Sequence, residues 1–354
     1  MRSATASDNH QPVLAEDATN EDVAQLVDEL HSTYQEMRAE LAGVIVGMED
    51  VIEQLMIGIL CRGHCILQGM PGLAKTLLIS QMAQIMELSF NRVQFTPDLM
   101  PADITGGEVL EEDRTTGGRA FRFVQGPLFA NLVLADEINR TPPKTQSALL
   151  EAMEERQLSV AGKTYDLPEP FFVLATQNPI EVEGTYPLPE AQLDRFLLKI
   201  KVGYPDREAE REICRRQTTS YAFKAKQVIN ASKLLQMQAL TPKVLVADHV
   251  YDAAIDLARL TRPSEGMLPA ELRDKVQYGA GPRASMALLM AGKARALLNK
   301  RCHVTTTDIF AVAAPVLRHR IIPTFNAEAA GLDTDDIVTA LVKQQAANVK
   351  AAQS

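Results

Sequence analysis

The sequence predicts an α/β domain built on a parallel sheet, followed by a smaller all-helical domain. An apolar segment at residues 64–69 runs into a glycine-rich turn and then into a helical pattern, the order found in α/β units. A second apolar segment ends in Asp136 and Glu137, and polar residues that follow a buried strand lie at the ligand-binding edge of a parallel sheet. After residue 204 the apolar spacing is helical only, so the boundary between the domains is expected there.

The glycine-rich turn lies in HCILQGMPGLAKT, residues 64–76. It matches the phosphate-binding template Gly-x-x-x-x-Gly-Lys-Ser/Thr except at Ala74, which replaces the second glycine. Backbone N–H groups at the start of a helix still form an anion site there. Lys75 would reach the terminal phosphates of a nucleotide, and the Thr76 hydroxyl would ligate magnesium. Taken alone, the segment is equally compatible with a Gly-Pro turn before an ordinary helix.

The acidic pair at the end of LVLADE favours the phosphate interpretation. Asp136 would help hold magnesium through its water shell, and Glu137 would polarise a water for attack on the terminal phosphate. A third apolar segment, FFVLATQNP, ends in Asn178, whose amide could orient the same water. The alternative for Asn178 is a turn residue before a proline.

An apolar loop precedes the first strand and could enclose a purine ring, with Ile45 and Val46 as contacts before a turn at Gly47. Plain core packing is the alternative. The residues expected to contact the nucleotide are therefore Ile45, Val46, Gly47, Gly69, Pro71, Gly72, Leu73, Ala74, Lys75, Thr76 and Leu77.

Two hairpins are predicted inside the α/β domain. One occupies residues 104–127, with a turn at TTGG and with Phe121 and Phe123 alternating with basic residues. The other occupies residues 155–169 around Ala161–Gly162. Long ordered insertions of this kind are often functional.

The chain divides into four predicted parts. Residues 1–18 are polar and are expected to form a disordered tail. Residues 19–43 predict an amphipathic helix whose apolar stripe needs a partner surface, either in this chain or in a neighbouring subunit. The α/β domain is expected at 44–203 and the helical domain at 204–354. Helices of the latter are expected near 207–217, 231–238, 247–261, 282–299, 306–319 and 334–347.

Composition limits the possible classes of protein. Of 354 residues, 46% are hydrophobic and 23% charged, which suits a globular protein with a large core. The net charge of −9 disfavours a broad nucleic-acid surface. No apolar run is long enough for a membrane span, and the first residues lack the apolar core of a secretory signal. Of the four cysteines, Cys61 and Cys65 lie close together in the chain, but there is no second pair at metal-ligand spacing. Reduced thiols in a cytoplasmic protein are therefore expected.

Together these motifs resemble the AAA+ ATPases, and most closely the MoxR family. The turn GMPGLAKT has the form GxPGxAKT typical of that family, so Ala74 supports the resemblance. LADEINRTPPKTQSALLEAMEE, FTPDLMPADITG, ATQNPIEVEGTYPLPEAQLDRF, GAGPRA and VLRHRIIPTFNAEA are similar to family segments as well. The resemblance covers about residues 40–345. Gly281 departs from it, because the family commonly has Ser there.

The resemblance implies an AAA+ P-loop core with a helix-2 insert at 104–127, a pre-sensor-1 hairpin at 155–169 and a helical lid. It implies that Asn178 is sensor 1, that Arg195 is an arginine finger acting on a neighbour's site, and that Arg283 is sensor 2. Arg283 would then assist Lys75 within the same subunit. ATP and Mg²⁺ are the implied cofactors. The implied partners are further copies in a hexameric ring, a protein client and a von Willebrand factor A-domain protein.

Three other functions are compatible with parts of the sequence. A nucleic-acid motor of the same AAA+ group would use basic hairpin residues, for which Arg114, Arg119, Arg122 and Lys163 are candidates beside an acidic run. A magnesium-chelatase-like ATPase subunit shares the same inserts. A nucleotide-gated scaffold would bind ATP with little turnover, which the complete catalytic set disfavours.

Overall fold

The α/β domain is built around one parallel sheet. The computed structural model describes residues 20–112, 119–178, 184–219 and 223–353. The strands of the domain are β1 (Cys65–Gly69), β2 (Phe90–Gln94), β3 (Gly106–Glu112), β4 (Arg119–Gln125), β5 (Leu132–Asp136), β6 (Gln157–Val160), β7 (Lys163–Asp166), β8 (Phe172–Gln177) and β9 (Leu198–Val202). Five of them form a sheet in the order β2-β5-β8-β1-β9, in which every pairing is parallel. The carboxyl ends of β5, β8 and β1 are therefore neighbours at one edge.

Both faces of this sheet are buried. The preceding and intervening helices are α1 (Asn20–Ala42), α2 (Glu49–Leu60), α3 (Lys75–Ile85), α4 (Pro101–Thr105), α5 (Pro143–Glu155) and α6 (Glu190–Leu193). Along β1 the Cys65 and Leu67 side chains enter one apolar cluster and Ile66 enters the other. Alternate strand residues face opposite sides, so a doubly covered strand must be apolar throughout. This is why the central strands read as continuous apolar segments.

The two predicted hairpins are present. β3 pairs with β4 and β6 with β7, each antiparallel. The turn predicted at TTGG lies outside the described residues. The shorter hairpin turns at Ala161 and Gly162, which both have positive φ.

The N-terminal helix α1 finds its partner surface within its own chain. Its stripe of Val27, Leu30, Tyr34, Met37 and Leu41 is buried, and the helix contacts α3 and a helix of the second domain. Of the two partner surfaces left open by the sequence, the body of the same subunit is the one used.

The second domain is helical, as expected. Its helices are α7 (Arg207–Thr218), α8 (Ala231–Leu240), α9 (Asp248–Leu260), α10 (Pro282–Leu298), α11 (Thr306–Ala311), α12 (Ala313–Leu317), α13 (Phe325–Ala329) and α14 (Thr334–Gln353). Two short strands, β10 (Val276–Tyr278) and β11 (Ile322–Pro323), add a small antiparallel pair that the sequence pattern did not reveal.

One helix expected in this domain is interrupted. The segment predicted as a single helix at 306–319 divides into α11 and α12 on either side of Val312. Pro315 has no N–H to donate to the carbonyl of Ala311 and its ring collides with that carbonyl. The first helix therefore ends at Ala311.

A buried ionic cluster fixes the long helix α10. The Asp308 side chain is fully buried and accepts hydrogen bonds from Arg295 on α10 and from Arg301. Arg295 also lies 3.3 Å from Glu53 on α2. Burial alone would raise the pKa of Asp308, but the hydrogen bonds from Arg301, Thr305 and Arg295 outweigh it and lower that pKa to about 2. The last turn of α10 is thereby held against α2 and α11.

Candidate nucleotide site

The glycine-rich turn lies between the carboxyl end of β1 and the first residue of α3. Gly69 cannot be replaced by a larger residue, because a Cβ there would lie 2.8 Å from the Val202 carbonyl oxygen on β9. Gly72 has φ +83°, a conformation that favours glycine. The turn ends at Ala74, and α3 begins with Lys75, so the first free N–H groups of that helix face the turn. The Lys75 Nζ donates a hydrogen bond of 2.7 Å to the Gly69 carbonyl oxygen.

Ten predicted residues meet in one cavity, here called the P-loop cavity. Its volume is about 450 Å³. The turn lines one side, and Asp136, Glu137 and Asn178 line the other, as expected from the neighbouring ends of β5 and β8. Burial lowers the pKa of Lys75, while the nearby charges of Asp136 and Glu137 raise it. The lining residues are Pro71, Gly72, Leu73, Ala74, Lys75, Thr76, Leu77, Arg92, Gln94, Asp136, Glu137, Thr176 and Asn178.

The donor set of this cavity fits magnesium. The Thr76 hydroxyl and the Asp136 carboxylate supply the oxygen ligands that Mg²⁺ prefers, and they leave room for several waters. In the described ranges, the P-loop cavity included, no group of three or more His, Cys, Asp or Glu side chains is arranged to hold a metal ion.

Four residues that the sequence analysis did not assign hold the two acidic side chains. Thr176 donates to Asp136 Oδ1 at 2.6 Å and accepts from the Glu137 backbone N–H at 2.8 Å. Arg92 Nη2 lies 2.7 Å from Asp136 Oδ2. Gln94 Nε2 and Arg140 Nη1 donate to Glu137 Oε2 at 2.8 and 2.9 Å.

The missed residues had a detectable signal. Arg92 and Gln94 are alternate polar residues on β2, so both point to the same side of the strand, and Gln94 pairs in register with Asp136. If β2 were known to lie beside β5, both residues could have been placed next to Asp136. The order of strands in a sheet cannot be read from sequence periodicity.

A second cavity adjoins the first through the turn. It has a volume of about 570 Å³ and shares Gly72, Leu73, Ala74 and Leu77 with the P-loop cavity. Its other walls include the apolar loop before α2, with Ile45, Val46 and Gly47. Ile45 is also part of the core, so its side chain both packs in the core and lines this cavity. The size and apolar lining suit an aromatic base, and here it is called the base cavity.

Arg195 and Arg283 lie at the opposite edge of the sheet. Both line a third cavity of about 400 Å³, here called the arginine cavity, together with Gly63 and His64, which immediately precede β1. The P-loop turn follows the other end of β1. This strand has five residues, so its first and last Cα atoms are about 13 Å apart at roughly 3.3 Å per step.

Arg283 therefore does not line the P-loop cavity of its own chain, and its expected role in the same subunit stays a prediction. Arg283 lies 3.4 Å from Glu154, which also binds Arg195 at 2.9 Å, and 3.8 Å from Asp194. The motif predicts a role for Arg283 but not its direction, which depends on the packing of α10 against α1, α2 and α9. Both arginines belong to one surface.

That surface carries excess positive charge. The arginine cavity is lined by five arginines and two carboxylates, namely Arg62, Arg156, Arg195, Arg283, Arg320, Glu154 and Asp194. His64 adds no charge near neutral pH, because burial lowers its pKa to about 4. It donates to the Met153 carbonyl oxygen and accepts from the Val173 backbone N–H.

The two hairpins are joined to each other. The Phe123 ring stacks on Tyr165 at 4.1 Å, and Phe129 meets Phe123 edge to face. Lys163 and Glu108 form an ion pair of 3.3 Å across the same contact. Further out, the cross-strand pair Leu110 and Phe121 is exposed.

Comparison with known proteins agrees with this geometry. The sequence profile described as ATPase family associated with various cellular activities (AAA) matches residues 64–198, and that of the AAA lid domain matches residues 271–341. The chain is 41% identical over 318 residues to the protein named Chaperone MoxR1 of Mycobacterium tuberculosis, which covers 90% of this chain and 83% of that protein. The chain belongs to the MoxR family of AAA+ ATPases.

Two further comparisons concern a less similar relative of this MoxR-family chain and a protein of known crystal structure. The Protein MoxR of Paracoccus denitrificans is 33% identical over 313 residues, covering 83% of this chain and 90% of that protein. A crystal structure of a protein from Cytophaga hutchinsonii has a TM-score of 0.83 at 40% identity, covering 91% of this chain and 97% of that one. The AAA match contains the P-loop cavity, whereas Arg283 lies within the lid match. In the described part of the chain, no helix is both long and apolar enough to cross a membrane.

Proposed function

We propose that this MoxR-type protein hydrolyses ATP with Mg²⁺ and uses the cycle to remodel or mature a protein client, including by metal or cofactor insertion. The observation that carries the ATPase proposal is the P-loop cavity, where Lys75, Thr76, Asp136, Glu137 and Asn178 meet. The adjoining base cavity gives room for a base beside that site.

Each residue has a distinct role in the proposed reaction. The turn N–H groups and Lys75 bind the phosphates. Thr76 and Asp136 would hold magnesium, which neutralises charge on the terminal phosphates. Glu137, held by Gln94 and Arg140, polarises the attacking water, and Asn178 orients that water.

The arginines would come from another copy of the chain. Arg195 and Arg283 are separated from their own P-loop by the length of β1, yet both line one cationic surface. A neighbour whose P-loop cavity faced that surface would receive both. This arrangement supports a closed ring, for which the resemblance suggests a hexamer, and we place the assembly in the cytoplasm.

The central test replaces Glu137. Glu137→Gln keeps the shape of the cavity but removes the base, so turnover is expected to fall about 10²–10⁴-fold. Binding of a fluorescent ATP analogue is expected to stay within about twofold. Glu151→Gln on the exposed side of α5 is the matched control. Wild-type turnover in Glu137→Gln would remove the proposed base.

The joined hairpins are the proposed client-binding element. Leu110 and Phe121 are exposed on one face, next to the contact between the two hairpins. Glu137→Gln protein, held with ATP bound, is expected to retain a client that is then identified by mass spectrometry. Adding Phe121→Ser should reduce the retained client about tenfold. Phe325→Ser, at an exposed phenylalanine of the lid, is the control, and equal loss in both variants would contradict this role.

A nucleic-acid motor is less well supported by the hairpins. Arg119, Arg122 and Lys163 pair with Glu112, Glu111 and Glu108, while Arg114 lies outside the described residues. Paired cations offer little net charge to a phosphate backbone. The ATP turnover is therefore expected to be unchanged by added DNA or RNA. The von Willebrand factor A-domain partner stays a proposal from the resemblance.

A further inference from the structure

Arg320 occupies a central place between the lid and the segment that carries Arg195. It follows α12, and its side chain is only 4% exposed. Its Nε donates to Asp194 Oδ1 at 2.7 Å, which balances its charge. A buried guanidinium is stabilised when carboxylate and carbonyl oxygens accept its N–H groups.

The remaining N–H groups of Arg320 bind backbone carbonyls. Nη2 donates to the carbonyl oxygens of Asp194 and Phe196 at 3.3 and 2.8 Å. Nη1 donates to that of Leu197 at 3.1 Å and also contacts the Val316 carbonyl oxygen. One side chain therefore satisfies three carbonyl groups in the four residues 194–197, and Arg195 lies among them.

The same carboxylates continue the network to the exposed arginines. Asp194 accepts from Arg320 and lies 3.8 Å from Arg283. Glu154 binds Arg283 and Arg195. A chain of alternating charges thus runs from the buried Arg320 through Asp194, Arg283 and Glu154 to Arg195.

We propose that Arg320 is a positioning residue for Arg195, because it fixes the backbone of residues 194–197 and, through Asp194, the neighbouring Arg283. This inference rests on the proposed role of Arg195 at the site of an adjacent subunit. Arg320 does not touch the nucleotide. It makes the lid and the arginine surface one rigid unit, so lid movement is transmitted to the neighbouring site.

Arg318 provides a matched control in the same segment. It is largely covered as well, with 9% of its side chain exposed. It binds Asp335 on α14 and the Lys199 carbonyl oxygen on β9, but no described contact joins it to residues 194–197. A merely structural role in attaching the lid would make both arginines equally important.

The test compares ATP turnover of Arg320→Lys and Arg318→Lys. Lysine keeps the charge but cannot bind several carbonyls in one plane. Arg320→Lys is expected to lose about 10²-fold in turnover, since a small misplacement of a catalytic group costs that much. Arg318→Lys is expected to stay within about threefold. Both variants should keep their affinity for a fluorescent ATP analogue, and equal loss of turnover in the two would overturn the proposal.

Assemblies that combine two different variant subunits test whether Arg320→Lys acts through the position of Arg195. Co-purified Arg320→Lys and Glu137→Gln subunits should regain turnover, because intact Arg195 from the second subunit would serve the intact Glu137 of the first. Mixtures of Arg320→Lys with Arg195→Ala should stay inactive, since neither supplies a positioned Arg195. Restored turnover in the latter mixture would overturn the proposal.

The two proposals fail in different ways. Full turnover by Arg195→Ala would defeat the proposed role of Arg195 itself. Inactive Arg195→Ala together with fully active Arg320→Lys would defeat only the positioning role. Faster hydrogen exchange at the amides of residues 194–197 in Arg320→Lys, but not in Arg318→Lys, is the expected structural signature.

Discussion

The P-loop cavity and the arginine cavity lie at opposite edges of the same sheet and differ in how complete they are. The P-loop cavity contains cationic, acidic and amide groups from one chain, and each acidic side chain already has hydrogen-bond partners there. The arginine cavity carries five arginines against two carboxylates. Arg156 also pairs with Glu169 at 3.9 Å, so the surface keeps a smaller excess of positive charge.

This difference indicates how the catalytic groups are divided. Groups that bind the phosphates and activate water need fixed mutual geometry, and adjacent strand ends provide it. The arginines that would stabilise charge in the transition state lie on a separate surface. Hydrolysis would then occur only when two chains meet, which couples turnover to assembly.

Removing Arg195 is the strongest way to test this division. Arg195→Ala is expected to lower ATP turnover about 10³–10⁵-fold, the value of an arginine finger supplied by a partner. Affinity for a fluorescent ATP analogue should not change, because the P-loop cavity is intact. The exposed Arg207→Ala serves as control. If the ATP turnover per subunit of the unsubstituted protein does not rise with protein concentration, the active site is not shared between two subunits.

Arg283 tests which subunit receives the second arginine. Arg283→Ala is expected to lower turnover about 10²-fold, as for removal of one stabilising donor. In mixtures with Glu137→Gln, turnover should recover, since the Arg283→Ala subunits keep their own Glu137. If ATP turnover of that mixture does not recover, Arg283 acts at the P-loop of its own subunit. Arg273→Ala, an exposed arginine of the lid, is the matched control.

Replacing Ala74 is expected to have the smallest effect of these substitutions, and one confined to the turn. Ala74 has φ +50°, a left-handed conformation that costs a non-glycine residue roughly 1–2 kcal/mol. Ala74→Gly should therefore raise the free energy of unfolding by about 1 kcal/mol in urea denaturation. Nucleotide affinity should be unchanged, because the backbone N–H groups stay in place. A lower free energy of unfolding would show that the alanine is not strained.

Much of the P-loop cavity could be predicted from the sequence. Lys75 and Thr76 are adjacent to the turn in the chain, and Asp136, Glu137 and Asn178 each follow an apolar strand. The ends of parallel strands meet at one edge, so these positions follow from local pattern. The sheet, the hairpins and the helical second domain follow from periodicity in the same way.

The candidate residues of the P-loop cavity can be found from sequence alone, because they lie in short-range motifs at strand ends. The remaining contacts depend on how distant segments pack. The strand order brought Arg92 and Gln94 to the acidic pair, and the core accepted the stripe of α1. The packing of the lid turned Arg283 to the far edge and buried Arg320 beneath Arg195. These contacts join residues more than 40 positions apart, and no local pattern records which distant segment will be the neighbour.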